Sequence, residues 1–261
     1  MKPDAEAHDL ATMAAAHARA AGRLVVSEPD HVKAVHEARR HIKRARSLLR
    51  ALRPLARTEI ARENALLRAF AHALAPLRDA HALDEAARAM GASGPVASQS
   101  GLVDLTALGR ALQRQGKVIV RLPLDRAPKR FLAKAVRHSY RAARKAFRAY
   151  QALPEAEPLH EARKRIKDCL HLVEALAPVR PKGAHPKPGK LDQLGELMGS
   201  IRDLDLLAQR LRREAAPSHK LERIAARHIR LERAVTRAGA KAFAARPATV
   251  ERAWRRVASS E

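Results

Sequence analysis

The sequence is poor in the features that support cross-linking, membrane insertion or catalysis. Its single cysteine, Cys169, excludes an intramolecular disulfide and fits a reducing compartment. That residue falls on an apolar helical stripe and reads as a small core side chain. No run approaches 18 uncharged apolar residues, so no transmembrane span is expected. The segment from Met1 to Gly22 carries His, Arg and acids throughout, unlike a signal peptide, and the expected location is cytoplasmic. Aromatic residues make up 3%, and the 11 glycines are expected in a few loop-like stretches. Walker loops, paired catalytic carboxylates and Gly-Xaa-Ser-Xaa-Gly turns are absent. Acids are scarce as well: 27 Asp and Glu stand against 52 Lys and Arg, a formal charge of +25. Self-repulsion at that charge opposes compaction, so a polyanionic partner is the first explanation to test.

What the chain does contain is helix-forming sequence. Alanine, leucine and arginine dominate, and apolar residues recur at helical spacing through most of it. The pattern predicts helices over roughly Ala5–Val26, a second segment ending before Pro54, Leu55–Met90 with a kink at Pro76, and Leu102–Leu122. Ser27 is the expected cap of the second helix, with Pro29 in its first turn. A loop is expected from Gly91 to Gly101 and a linker from Pro123 to Pro128. The series then restarts near Lys129–Leu153, Glu155–Ala177, Lys190–Ala215 and Ser218–Ala245, with a Pro- and Lys-rich loop at Pro178–Gly189 and a short helix around Trp254. Four helices per repeat, mostly on short connections, predict two antiparallel bundles. The expected division is residues 1–125 and 126–261.

One pattern occurs twice. Val35-His36-Glu37-Ala38-Arg39-Arg40-His41-Ile42-Lys43 returns as Leu159-His160-Glu161-Ala162-Arg163-Lys164-Arg165-Ile166-Lys167, 124 residues later. Arg78-Asp79 and Arg202-Asp203 keep the same offset. Two landmarks in register over that interval indicate an internal duplication.

Each copy sets cations beside an apolar seam. Val35, Ala38, Ile42, Ala45, Leu49 and Leu52 form an a/d-type stripe in the first. The next residue along in each case is His36, Arg39, Lys43, Arg46, Arg50 or Arg53, a row about 25 Å long at helical rise. In the second copy the seam is Leu159, Ala162, Ile166, Cys169, Val173 and Leu176, and its row is His160, Arg163 and Lys167 before turning to Leu170. Arg40 and Lys164 flank these rows. Further rows are Lys134, Arg137, Arg141, Arg144 and Arg148; Lys220, Arg223, Arg227 and Arg230; and, weaker, Arg110, Arg114 and Lys117. A face that serves only solubility mixes signs, and like charges at this spacing repel. The rows therefore read as a polyanion site at helix boundaries. Asp79 and Asp203 could orient its cations, or the two Arg-Asp pairs could be ordinary ion pairs.

Phosphate without bases fits such a site. Single-strand nucleic-acid binders stack bases on aromatics, which are few and scattered here, and no zinc finger, homeodomain-like segment or basic zipper appears. A nucleoid- or RNA-associated basic protein is the alternative. The His-Glu pairs begin like a zinc-protease helix, but Arg40 and Lys164 stand where its second His belongs, so no metal and no enzymatic activity are expected.

These residues resemble the CHAD family, named for conserved histidines in an α-helical domain. The resemblance rests on His36, Arg39, Lys43, Arg46 and Ser47, then on His160, Arg163, Lys167 and Glu174 with Ile201-Arg202-Asp203-Leu204-Asp205. It implies an all-α fold of two pseudo-symmetric four-helix bundles around a basic central channel that binds inorganic polyphosphate. It further implies targeting to polyphosphate granules, no catalysis by the domain and no cofactor. A polyphosphate-metabolising enzyme is an expected partner. Family members are often fused to a CYTH hydrolase carrying Glu-Xaa-Glu-Xaa-Lys; that signature is absent, which predicts a stand-alone module.

Overall fold

The computed structural model describes residues 3–75, 104–125, 127–128, 130–213 and 218–255. Among them all regular structure is helical: α1 (Pro3–Ser27), α2 (His31–Leu52), α3 (Arg57–Ala73), α4 (Leu105–Val120), α5 (Phe131–Ala152), α6 (Ala156–Ala175), α7 (Pro188–Arg213), α8 (Ser218–Ala242) and α9 (Pro247–Arg255), with one 3-10 turn at Ala177–Val179. The chain divides into units of residues 1–129 and 130–261, four residues on from the expected boundary. The kink at Pro76, the continuation of the third helix to Met90 and the Gly91–Gly101 loop lie outside the described residues.

The stop between α1 and α2 is built differently from expectation. Ser27 ends α1, and its hydroxyl donates to the Arg23 carbonyl. Asp30 is the cap of α2: its carboxylate accepts from the main-chain N–H groups of Val32 and Lys33 at 3.0 and 3.1 Å. A carboxylate suits that place because it satisfies orphan N–H groups and meets the positive end of the helix dipole.

In the first unit α1 packs against α2 and α4, and α3 packs against α2 and α4. The faces of α1 are alanine: Ala7, Ala11, Ala14, Ala15, Ala18 and Ala21 are essentially inaccessible to solvent. Short side chains let helices approach closely, and glycine completes the contact. A Cβ on Gly22 would stand 2.5 Å from the Gly109 carbonyl oxygen, and one on Gly109 would stand 2.7 Å from that of Gly22. Glycine thus serves mid-helix crossings, at Gly22, Gly109 and Gly116, as well as the loops expected for it. The α2 seam (Val35, Ala38, Ile42, Ala45, Leu49, Leu52) is buried throughout.

In the second unit α6 lies between α5 and α7, α8 packs on α7, and α9 covers α5. Phe147 of α5 sits against Phe243 with ring centroids 5.5 Å apart, and Gly239 of α8 leaves room for its ring. Trp254 of α9 is buried and donates its indole N–H to the His185 carbonyl at 2.8 Å. Cys169 is fully buried on the α6 seam, and burial pushes its thiol up to about 12, so it remains a protonated core group.

Candidate functional site

The α2 row stays at the surface. His36, Arg40 and Lys43 are exposed, and Arg39, Arg46 and Arg50 are half-buried. The reason is their register: each follows a seam residue by one position, 100° around the helix, at the rim of the packed face. Two contacts tie this rim to α3. Arg39 donates to the Ala71 carbonyl, and Arg46 Nε donates to Asn64 Oδ1 at 2.9 Å while Asn64 Nδ2 returns a bond to the Arg46 carbonyl at 3.2 Å. Pairing 39 with 71 and 46 with 64 sets α2 and α3 antiparallel. That register places Arg68 and His72 of α3, both exposed, across from Lys43. Neither was singled out from sequence, because neither belongs to a row on its own helix. Arg40 bonds Glu37 at 2.9 Å, and this bond holds the Glu37 carboxyl below its ordinary range. Arg50 donates to Ser47 Oγ at 3.2 Å.

The corresponding face of the second unit uses α6 and α7. His160 is exposed, and Arg163 is half-buried with its Nε donating to the Gly195 carbonyl at 3.3 Å. Arg39 and Arg163, 124 residues apart, thus each bond a carbonyl 32 residues further along the chain. Lys167 Nζ is held by two carboxylates of α7, Asp192 Oδ1 at 2.9 Å and Glu196 Oε1 at 2.8 Å. Lys164 and Arg165 both bond Glu161, at 2.9 and 2.6 Å. Burial pushes the Glu161 carboxyl up, but these two hydrogen bonds outweigh it and hold it below its ordinary range.

The remaining predicted cations fall into two kinds. Lys134, Arg141, Arg223, Arg227 and Arg230 are exposed and have no ion-pair partner among the described residues. Arg137 is instead bound to the buried Glu251 of α9 at 2.7 Å, and Arg255 shares that carboxylate. Arg78 and Asp79 lie outside the described residues. Arg202 and Asp203 are exposed with no ion-pair partner among the described residues; it is Asp205 that meets a histidine, its Oδ1 lying 3.1 Å from His228 Nε2. A pair that sequence did not reveal joins α1 to α2: His17 and His41 face each other Nδ1 to Nδ1 at 2.9 Å.

Among the described residues no three His, Cys, Asp or Glu side chains are grouped to hold a metal ion, and no helix is long and apolar enough to cross a membrane. Chemically, the two faces offer guanidinium and ammonium donors at helix rims, with histidine at the end of each row. Such groups suit the oxygen atoms of phosphates.

Residues 10–212 match the family model described as the CHAD domain. No curated protein and no solved structure matches the chain. With the match covering more than half of its length, and with the two His-led rows inside the matched span, the chain belongs to the CHAD family.

Proposed function

We propose that the protein binds inorganic polyphosphate without chemically altering it, through a site assembled from its cationic helix rims. Family membership supports this reading, since the CHAD domain is a polyphosphate-binding domain. The observation that carries it is the α2 rim, where His36, Arg39, Lys43, Arg46 and Arg50 stay at the surface and α3 adds Arg68 and His72. A row of this kind, with little aromatic surface for stacking bases, suits a long phosphate polymer. The reading takes the two units as copies of one helical bundle, which the matched 32-residue spans of the Arg39 and Arg163 bonds support. It takes a basic central channel as the seat of the polymer, polyphosphate granules as the destination, and a polyphosphate-metabolising enzyme as a companion.

The test is competition. Fluorescently labelled long-chain polyphosphate is bound to the full chain and displaced with single-stranded DNA, duplex DNA or RNA at equal phosphate concentration. The expected result is retention of polyphosphate, with log Kd rising linearly in log salt as contacts displace counterions. Displacement by any nucleic acid at parity would favour a nucleoid- or RNA-associated role instead. Release of orthophosphate during the assay would refute the non-catalytic reading.

A further inference from the structure

We infer that the outer face of α5, built from Lys134, His138, Arg141, Lys145 and Arg148, is a contact tract for polyphosphate in the second unit. This rests on the polyphosphate-binding reading and adds two residues, His138 and Lys145, that lie in none of the rows read from spacing.

The tract is turned slightly from the row that spacing predicts. Lys134, Arg141 and Arg148 are exposed as expected, but Arg137 and Arg144 are half-buried. Arg137 turns to Glu251 of α9 at 2.7 Å. Arg144 stands near the Tyr140 phenol: burial pushes that phenol up to about 12, and the guanidinium opposes the shift. His138 and Lys145, both exposed, take their places. At about 100° per residue the five side chains fall within an arc of about 80°, along about 21 Å of helix.

Nothing in α5 neutralises this face. The helix holds six Lys and Arg and no Asp or Glu. Among the described residues its only ion pair is the one from Arg137 to Glu251. The cations of α6 differ, since Lys164 and Arg165 bond Glu161 while Lys167 bonds Asp192 and Glu196. Like charges three and four residues apart repel, and a face that serves only solubility mixes signs. A polyanion laid along the helix relieves that repulsion.

The aromatic residues of α5 favour phosphate over nucleic acid. Phe131, Tyr140, Phe147 and Tyr150 are all buried, so the outer face offers no Phe, Tyr or Trp ring on which a base could stack. A polymer of phosphates alone, with no sugar between its charges, loses nothing on such a surface.

The experiment uses the full chain with labelled polyphosphate of one fixed length. Neighbouring residues supply the control, because Lys145→Gln and Arg144→Gln each remove one positive charge, the first from the tract and the second from beside it. Lys145→Gln should weaken binding about fivefold and lower the salt slope by about one ion, whereas Arg144→Gln should change Kd by less than about twofold. Replacing all five tract residues by Gln should weaken binding about a hundredfold and lower the slope by about three ions. These side chains are exposed and mutually repelling, so thermal unfolding of that variant, followed by circular dichroism, should occur no lower than in the parent. Equal losses from Lys145→Gln and Arg144→Gln would show that binding reads net charge alone. That result, or parental affinity in the five-residue variant, would overturn the tract while leaving polyphosphate binding intact. No binding by the unaltered protein would overturn the functional reading itself and this inference with it.

Discussion

Gly22→Ala offers a direct check on how the first unit is held together. Alanine is the better helix former by about 1 kcal/mol, so in an open helix this change would stabilise. Here the new methyl would lie 2.5 Å from the Gly109 carbonyl oxygen, 2.9 Å from Gln113 Cγ and 3.1 Å from the Gln113 main-chain nitrogen. Two of those three atoms are backbone, and no rotamer change removes them. The helices must separate, uncovering alanine faces that are closed to solvent, at an overpacking cost of about 3 kcal/mol. The net expectation is a loss of about 2 kcal/mol. Gly189→Ala supplies the control: it also lies in a helix, yet nothing stands within 4 Å of its Cβ position, and its effect should stay within about 0.5 kcal/mol. Urea unfolding followed by far-UV circular dichroism measures both. Gly109→Ala meets the same contact from the other side, so the double variant should lose less than the two singles together. A Gly22→Ala protein as stable as the parent would refute the close crossing of α1 and α4.

Two further perturbations probe buried and half-buried titratable groups. Burial, with His41 and Arg44 beside it, lowers the His17 pKa to about 4, and burial with Arg44 lowers that of His41, while Glu37 opposes and Arg40 and Arg23 add to the effect. The unfolded chain takes up protons near 6.5 and the native pair does so only at lower pH, so stability should fall as pH drops from 6.5 toward 4. Allowing for solvent screening the loss is about 1–2 kcal/mol, and it should shrink in His17→Gln; urea titrations at pH 7.5 and 4.5 that show the same loss in both proteins would reject the pair as its source. Glu251 accepts hydrogen bonds from Arg255 and Arg137, which hold its carboxyl below the ordinary range; its contribution is present above the usual carboxylate pKa and lost as pH falls through its own. Glu251→Gln should cost about 2 kcal/mol, read from the fluorescence of Trp254, the only tryptophan, and an unchanged midpoint would show the pairing to be incidental.

The helices and both seams were legible in sequence because periodicity is a local property. The residues of the α2 and α6 seams are buried as the spacing predicts. The cationic row of α2 was legible for the same reason, since there the position past each seam residue falls outside the core. What periodicity could not convey is which helix lies opposite. Arg137 belongs to a row by spacing, yet it faces Glu251, 114 residues away. Lys167 stands in a cationic row by spacing, and only the packing of α7 showed that Asp192 and Glu196 meet it. Glycine misled in a similar way. The expectation of loops holds for Gly183, with φ +73°, but Gly22 and Gly109 answer to a crossing that no single helix encodes. Ser27 and Asp30 are both good caps by type, and the choice between them turned on where α1 ended.

The bonds from Arg39 and Arg163 to main-chain carbonyls carry a consequence for capture. A guanidinium has five N–H donors, and a neutral acceptor occupies one without cancelling the formal charge. Its plane is thereby preorganised when the helices pack. A long surface side chain ordinarily surrenders rotamer entropy at the moment a ligand arrives, about 0.5–1.5 kcal/mol each. At these two positions that ordering is completed during folding, so on the proposed function fixing a phosphate there would cost less motion than at an untethered lysine.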